Sequence, residues 1–454
     1  MRRWYGLAIL GTVLAGLILL VVILLGMQSC GSDEVVAPEP EKPTPQLAVV
    51  VFETEEPTVT PTTAVSTPSP VPTTVGMGVA QSTPVTASIV SSSVNRAPDE
   101  NPLTGLKVDD PAMLRRRPLM VRVGNDPGAR PQVGLNQADI VYEEIVEWWV
   151  TRFTAIYLSQ DPEMIAPIRS ARLINLQIVP QYQGALANSG GSDGVRWEIS
   201  QSDIVNLDEY FVPQPYFYRE NEGWQTRLAF DATEAREYLA DEELETDVKL
   251  RGFEFSQTLD VAKLPRAAVG DAMEVTIPYP AVTSRATWQY DPASGKYLRF
   301  TLDEPMLNFD GSQIDAANVI IYFAEHQETN IVEDSNGATS IRIITNGLGT
   351  AWLLRDGKIL KGNWESDGRT TPRFFFNDGQ PLLLKPGNTW IQVVPLGYEI
   401  EIDGQLHTRL GDEAADNQPA EPLKTATPTS LPTPTLTPIG FRATPTLVMT
   451  PTPE

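Results

Sequence analysis

Leu119-Met120-Val121-Arg122-Val123, followed at once by Gly124-Asn125-Asp126-Pro127-Gly128, is the stretch on which the reading of the fold turns. A short apolar run that breaks into a cluster of turn formers reads as a strand ending in a loop. Outward from it, the chain passes through Arg130-Pro131-Gln132-Val133 and reaches Ala138-Asp139-Ile140-Val141-Tyr142-Glu143. A second apolar strand follows over residues 153–158, and then the dense run Pro167-Ile168-Arg169-Ser170-Ala171-Arg172. Polar and charged groups thus recur where apolar strands end, which is where open α/β sheets hold their ligands.

The N-terminus sets the address. Arg2 and Arg3 precede an uncharged run, rich in Leu, Val and Ile, that extends to Ser32. A helix needs about 20 apolar residues to span a bilayer, and basic residues stay on the cytoplasmic side, so the rest of the chain is expected outside. The run ends in Gly26-Met27-Gln28-Ser29-Cys30-Gly31, and Cys30 is the only cysteine. A small residue before a cysteine at this place is similar to a bacterial lipoprotein cleavage site, whose cysteine carries the lipid. Lipidation at Cys30 and a retained single-pass helix both fit. Either way the membrane is the first partner, and the expected location is the extracytoplasmic face of the cell membrane.

Five segments follow from composition. Residues 1–31 are the export signal or anchor. Residues 32–98, dominated by Pro, Thr, Ser and Val, cannot bury enough apolar surface to offset their ordering entropy, and are expected to stay disordered. Fully extended at about 3.1 Å per residue, such a stalk reaches on the order of 200 Å. Residues 99–247 form a mixed α/β domain, 248–412 a β-rich domain, and 413–454 a Thr/Pro-rich tail; the fold class is α+β. The spacing at Ile174, Ile178, Tyr182 and Ala185 predicts a helix over 174–187, with Pro180 near its end or at a kink. Asn188-Ser189-Gly190-Gly191-Ser192-Asp193-Gly194 is a glycine-rich loop, either an anion-binding concavity of backbone N–H groups or a surface turn. Residues 210–218 are aromatic, and Asp231 caps a helix running to Leu239. In the second domain, 286–290 and 296–300 flank a hairpin turn, 350–354 turns at Arg355-Asp356-Gly357-Lys358, and 318–323 and 388–395 are further strands. A twisted antiparallel sheet or small barrel is the expected product.

Charge excludes one class of partner. Lys plus Arg number 34 against 58 acidic residues, a net charge of −24, so no nucleic-acid footprint exists. His326 and His407 are the only histidines, and neither lies near a nucleophile elbow or a zinc-binding His-Glu-x-x-His. No metal site and no cofactor is indicated. Carboxylate-only glycoside hydrolysis has Asp139, Glu143, Glu144 and Glu147 available, although Glu143 and Glu147 read as a solvated face. Arg169 and Arg172, three apart, share a face if helical, where two guanidinium groups can grip a phosphate or carboxylate. The structural alternative pairs each with an internal acid such as Asp139 or Glu143. Arg130 and Asn125-Asp126 supply the opposite wall, with Asp126 also reading as a turn residue before Pro127. Trp148 and Trp149 offer rings on which sugars can stack.

Several of these motifs carry a resemblance. Asn101-Pro102-Leu103-Thr104-Gly105-Leu106, Arg130-Pro131 through Glu143, Thr151-Arg152-Phe153 and Pro167 to Arg172, with Tyr290 to Arg299, Ala351 to Lys358 and Pro386 to Gln392 further on, resemble the YerB-like bacterial lipoproteins. The resemblance spans nearly all of the expected folded part in the same order. It implies an exported lipoprotein with a mixed α/β domain and a β-rich one, in a family without a settled biochemical activity. Relatives carry a histidine before the glycine pair, where this chain has Asn188, and a Pro-His-Asn motif near Leu228-Ala229-Phe230, where it has none. The order of strand, acidic loop, arginine, Ala-Asp-Ile and Pro-x-Arg also loosely resembles envelope phosphotransferases that transfer glycopolymers from lipid pyrophosphates. There, arginines hold the pyrophosphate and aspartates a metal, with Asp126, Arg130, Asp139, Arg169 and Arg172 in the corresponding places.

The expectation is therefore a membrane-tethered protein, non-catalytic by default, binding an anionic envelope component or an envelope protein. The expected ligand-binding residues are Arg130, Asp139, Arg169 and Arg172, with Asn125, Asn188, Gly190 and Gly191. The alternative is a metal-dependent phosphotransferase acting on lipid-linked glycopolymers.

Overall fold

The computed structural model describes residues 94–410. The expected anchor with Cys30, the stalk up to residue 93 and the tail lie outside the described residues. No helix among the described residues is long and apolar enough to cross a membrane.

β1 (Leu119–Gly124), β2 (Ile140–Val146), β3 (Val150–Tyr157), β4 (Ala185–Asn188) and β5 (Val205–Asp208) lie in the order β2-β3-β1-β4-β5. β3 is antiparallel to β1 and β2, while β1, β4 and β5 are parallel. Every residue of β1 and β2 is buried, because both faces of this sheet are covered and an alternating pattern has no solvent side to mark. Met120, Ile140 and Tyr142 pack on one face with Ile178 and Tyr182 of helix α1 (Asn175–Tyr182) and Val195 of helix α2 (Asp193–Ser200). Leu119, Val121 and Val141 face the other way, toward Phe230 and Leu239 and toward Trp288 and Tyr297 of the second half.

The second half does not close into a barrel of its own. Strand Thr389–Pro395 lies between Asn318–Val332 and β2 and is parallel to both, joining strands from both halves into one sheet of twelve. Its run Trp390-Ile391-Gln392-Val393-Val394 is buried throughout, the mark of a central parallel strand rather than of an antiparallel edge. A seven-stranded sheet built on the hairpin Ala286–Asp291 with Lys296–Thr301 covers one face. The hairpin and the Arg355–Lys358 turn occur where expected, and Asp231 caps helix α3 (Ala232–Asp241), accepting from the amides of Thr233 and Glu234. The helix expected over 174–187 stops at Tyr182. Gln183 turns left-handed at its end, and Ala185 belongs to β4. The molecule is strand-rich α+β with mixed sheets.

Candidate functional site

The parallel strands β1, β4 and β5 deliver their following loops to one end of the sheet, where the connection from β1 leads to one side and β4 and β5 lie on the other. Such a reversal opens a crevice in α/β sheets. Here the segment around Arg169 occupies it. The Arg169 amide donates to the carbonyl of Arg122 on β1 (2.9 Å), and the Ser189 amide after β4 donates to the carbonyl of Arg169 (3.0 Å). A Cβ on Gly124 would stand 3.0 Å from Cγ of Arg169, so a side chain there would have to push Arg169 away by a few tenths of an ångström. The Arg169 guanidinium donates to the carbonyl of Gln225 (2.7 Å) and meets Asp126 only at 3.4 Å. It stays 15% exposed.

Ser189-Gly190-Gly191-Ser192 follows β4 and leads into α2, capped by the Ser192 hydroxyl, which accepts from the Val195 amide. Gly190 takes a φ of 70°, a region that a side chain disfavours, and its carbonyl accepts from Ala171. The Ser189 hydroxyl donates to Glu209 (2.5 Å), so the loops after β4 and β5 are tied together. Asn188 is buried, its side chain donating to Asn206 (2.7 Å), and its backbone N–H and C=O both bond to the Tyr216 hydroxyl. Asn188 is thus a strand-to-strand tie.

Arg172 does not join Arg169. Residues 169–172 belong to no helix, and the two guanidinium groups have separate partners. Arg172 lies 8% exposed between two carboxylates: it forks onto Glu147, with Nε to Oε2 at 2.7 Å and Nη2 to Oε1, and Nη1 reaches Glu333 at 3.4 Å. Glu333 comes from the end of the long Asn318–Val332 and Thr339–Ile344 hairpin. Burial opposes the Glu147 charge, but Arg172 and Arg152 outweigh it and hold the carboxyl down at about 2. Arg152 is itself lowered to about 9 by burial and then by the charge of Arg172.

Arg130 and Asn125 also turn inward. Arg130 donates to Oδ1 and O of Asn125 (3.0 and 2.6 Å) and to the carbonyl of Thr283 (2.6 Å), fixing the loop to the second half. Burial and the nearby Arg299 charge lower it to about 10. Asn125, fully buried, donates to Thr151 (2.8 Å).

Asp139 is at the other end of the sheet. It precedes β2 beside Tyr157, whereas Asn125 follows Gly124, which pairs with Arg152. Five residues of strand at about 3.4 Å each make a separation of about 17 Å. Its carboxylate accepts from the amides of Leu158 and Ser159, the Ser159 hydroxyl and the Asn101 side chain, at 2.6 to 3.0 Å. The expected four-residue cluster therefore does not assemble, and Asp126 and Asp139 cannot share an ion. The glycosidase carboxylates are dispersed as well. Neighbours on a strand face opposite ways, so Glu143 pairs with Arg299 (3.0 Å) on one face and Glu144 with Arg122 on the other, all four fully buried. Burial pushes Glu144 up to about 7. The solvated face expected for Glu143 and Glu147 is absent, because both sides of β2 are covered.

Sequence reasoning passed over Arg196 and Glu209. Arg196 of α2 donates to buried Asp208 (2.9 Å), and its guanidinium lies 5.4 Å from the ring centroids of Tyr210 and of Phe211. The available signal was the sequence Asp208-Glu209-Tyr210-Phe211 at the end of the strand Val205–Asp208.

Two family models match this chain: the N-terminal domain of the protein of unknown function DUF3048 over residues 103–248, and its C-terminal domain over 275–391. The chain belongs to this family. "Putative lipoprotein YerB" of Bacillus subtilis (strain 168) is 28% identical over 303 residues, which is 65% of this chain and 86% of the relative. The crystal structure of YerB protein from Bacillus subtilis matches at a TM-score of 0.55 with 25% identity, covering 66% of this chain and 97% of that one. The strand-end crevice lies wholly within the matched N-terminal DUF3048 domain, while Glu333, which closes over Arg172, comes from the C-terminal one.

Proposed function

We propose that this DUF3048 protein is tethered to the extracytoplasmic face of the membrane and binds an anionic component of the cell envelope, without transforming it, at the strand-end crevice around Arg169. The observation that carries the reading is the state of Arg169. It stands between the Asn125-Asp126 and Ser189–Ser192 loops, partly exposed, with a carboxylate no closer than 3.4 Å, while Arg122, Arg172 and Arg299 are buried in close internal pairs. A phosphate or carboxylate at the mouth of the crevice meets the exposed part of this guanidinium, whose Nη1 holds only the Ile168 carbonyl, at 3.3 Å, and whose link to Asp126 is long. The kinship with a protein named as a lipoprotein supports the tethered location, as does the basic and then apolar N-terminus.

The test is a thermal-shift titration of the full-length chain in detergent with a poly(glycerol phosphate) probe, beside Arg169→Gln. At 100 times its dissociation constant the probe adds about 2.7 kcal/mol to wild-type stability, and the variant loses most of that gain. Equal shifts in the two proteins, or none in the wild type, refute the assignment.

A further inference from the structure

The exposed large hydrophobic side chains are not spread evenly. Between Trp197 and Trp224 they are all aromatic, whereas most of those elsewhere among the described residues are aliphatic. Tyr210 is 77% exposed, Phe211 70%, Tyr218 60% and Trp224 75%. Each such ring carries roughly 150–250 Å² that a fold ordinarily buries, and here the chain leaves four of them around one crevice. Trp224 adjoins Gln225, whose carbonyl receives Arg169. Tyr218 joins the other side through Glu209, which accepts its hydroxyl at 3.0 Å and that of Ser189 at 2.5 Å.

Three of these rings are braced. Tyr210 and Phe211 meet edge to face at 5.1 Å between centroids, and Arg196, itself anchored on Asp208, supports both. The guanidinium of Arg227 lies 4.8 Å from the centroid of Tyr218. Rigid rings interleaved with oriented hydroxyl, carboxylate and guanidinium groups match one ligand chemistry closely. A pyranose ring presents a flat C–H face that packs on an aromatic ring, and a rim of hydroxyls that needs fixed donors and acceptors.

We infer that Tyr210, Phe211, Tyr218 and Trp224 form a platform for the sugar rings of an envelope polysaccharide, running past the crevice where Arg169 takes the anionic group. The inference rests on the reading that this surface faces the envelope, and it identifies the saccharide character of the ligand. The Pro/Thr-rich composition of the segment before the folded part is that of a chain which, if extended, would give reach to a polymer at a distance from the membrane.

Calorimetric titration of the full-length chain in lauryldimethylamine oxide, a detergent without sugar, separates the two readings. One probe is the uncharged β-1,4-linked hexamer of N-acetylglucosamine; the other is poly(glycerol phosphate), which carries charge and no sugar ring. The hexasaccharide is expected to bind wild type and Arg169→Gln within about twofold of each other, and the Tyr210→Ser/Trp224→Ser variant at least tenfold more weakly. Both substituted rings are exposed, and an unchanged unfolding midpoint checks that the variant is folded. Failure of the wild type to bind the hexasaccharide, or undiminished binding by the double variant, overturns the platform. If poly(glycerol phosphate) still binds in that case, the anionic reading stands without it; if only the hexasaccharide binds, the platform stands and the anionic reading falls.

Discussion

Replacing Arg172 with methionine tests whether this arginine belongs to the fold or to a ligand site. The substitution keeps an apolar stem in place but leaves Glu147 and Glu333 facing each other without the guanidinium that lies between them. Glu147 is held at about 2 against an ordinary 4.5. A difference of about 2.5 units at about 1.36 kcal/mol each corresponds to roughly 3 kcal/mol. Arg152 supplies part of that and remains in the variant, but the stranding of Glu333, whose side chain is 1% exposed, acts in the same direction. The expected loss at pH 7 is therefore about 3 kcal/mol, read as a lower urea midpoint at an unchanged slope. The pH dependence carries a definite sign. A carboxylate with a depressed folded-state pKa contributes stability that is complete above 4.5 and is lost as pH falls through the window from 4.5 to 2. The wild type loses this contribution on acidification and the variant has only the part that Arg152 supplies, so the gap between them narrows between pH 7 and pH 3. A gap below about 1 kcal/mol at pH 7, or one that stays constant down to pH 3, refutes the structural role. A variant that keeps its stability but no longer binds poly(glycerol phosphate) would return Arg172 to the ligand site.

Asp139→Ala strands two amides, a hydroxyl and a side-chain amide at the far end of the sheet. Each stranded donor costs about 1–3 kcal/mol, so a loss of at least about 3 kcal/mol in chemical denaturation is expected, with affinity for poly(glycerol phosphate) unchanged in whatever folds. Glu143→Leu and Arg299→Met each leave an unpaired charge in the interior, at about 3–5 kcal/mol, whereas the double variant should recover at least about 2 kcal/mol of the summed losses in a double-mutant cycle. Strict additivity would show that the pair is uncoupled.

How far the fold could be read depended on whether its signal was local. The Asp231 cap, the Arg355–Lys358 turn and the strand of β1 ending at Gly124 are set by neighbours in sequence, and they occur as read. Strand Thr389–Pro395 was readable as a strand but not as the link between the halves, since its partners Asn318–Val332 and β2 lie about seventy and two hundred and fifty residues away in the chain. The length of α1 was misjudged because the apolar residues of β4 happen to continue its spacing past Gln183 and Gly184.

The site shows the same division more sharply. That the arginines would find internal acids was legible; which acids was not. Arg172 takes Glu147, 25 residues away, and Glu333 from the far half, while Asp139, which sits in a continuous run with β2, proves to be a strand length away because the direction of β2 carries Asp139 to the opposite end. Six of these guanidinium groups, those of Arg122, Arg130, Arg152, Arg169, Arg172 and Arg299, look alike in sequence, and only burial distinguishes them. A guanidinium closed off from water needs its carboxylate at short range, and Arg122, Arg172 and Arg299 have one. Arg152 and Arg169 each make a long pair, at 3.4 Å, and keep a similar partial exposure; of the two, Arg169 is the one between the Asn125-Asp126 and Ser189–Ser192 loops. The aromatic residues obey the converse rule. Nothing in a chain's local pattern says whether Tyr210, Phe211 and Tyr218 will be covered, but once β5 is an edge strand with its loop at the crevice, rings left exposed there are a surface for something other than this chain.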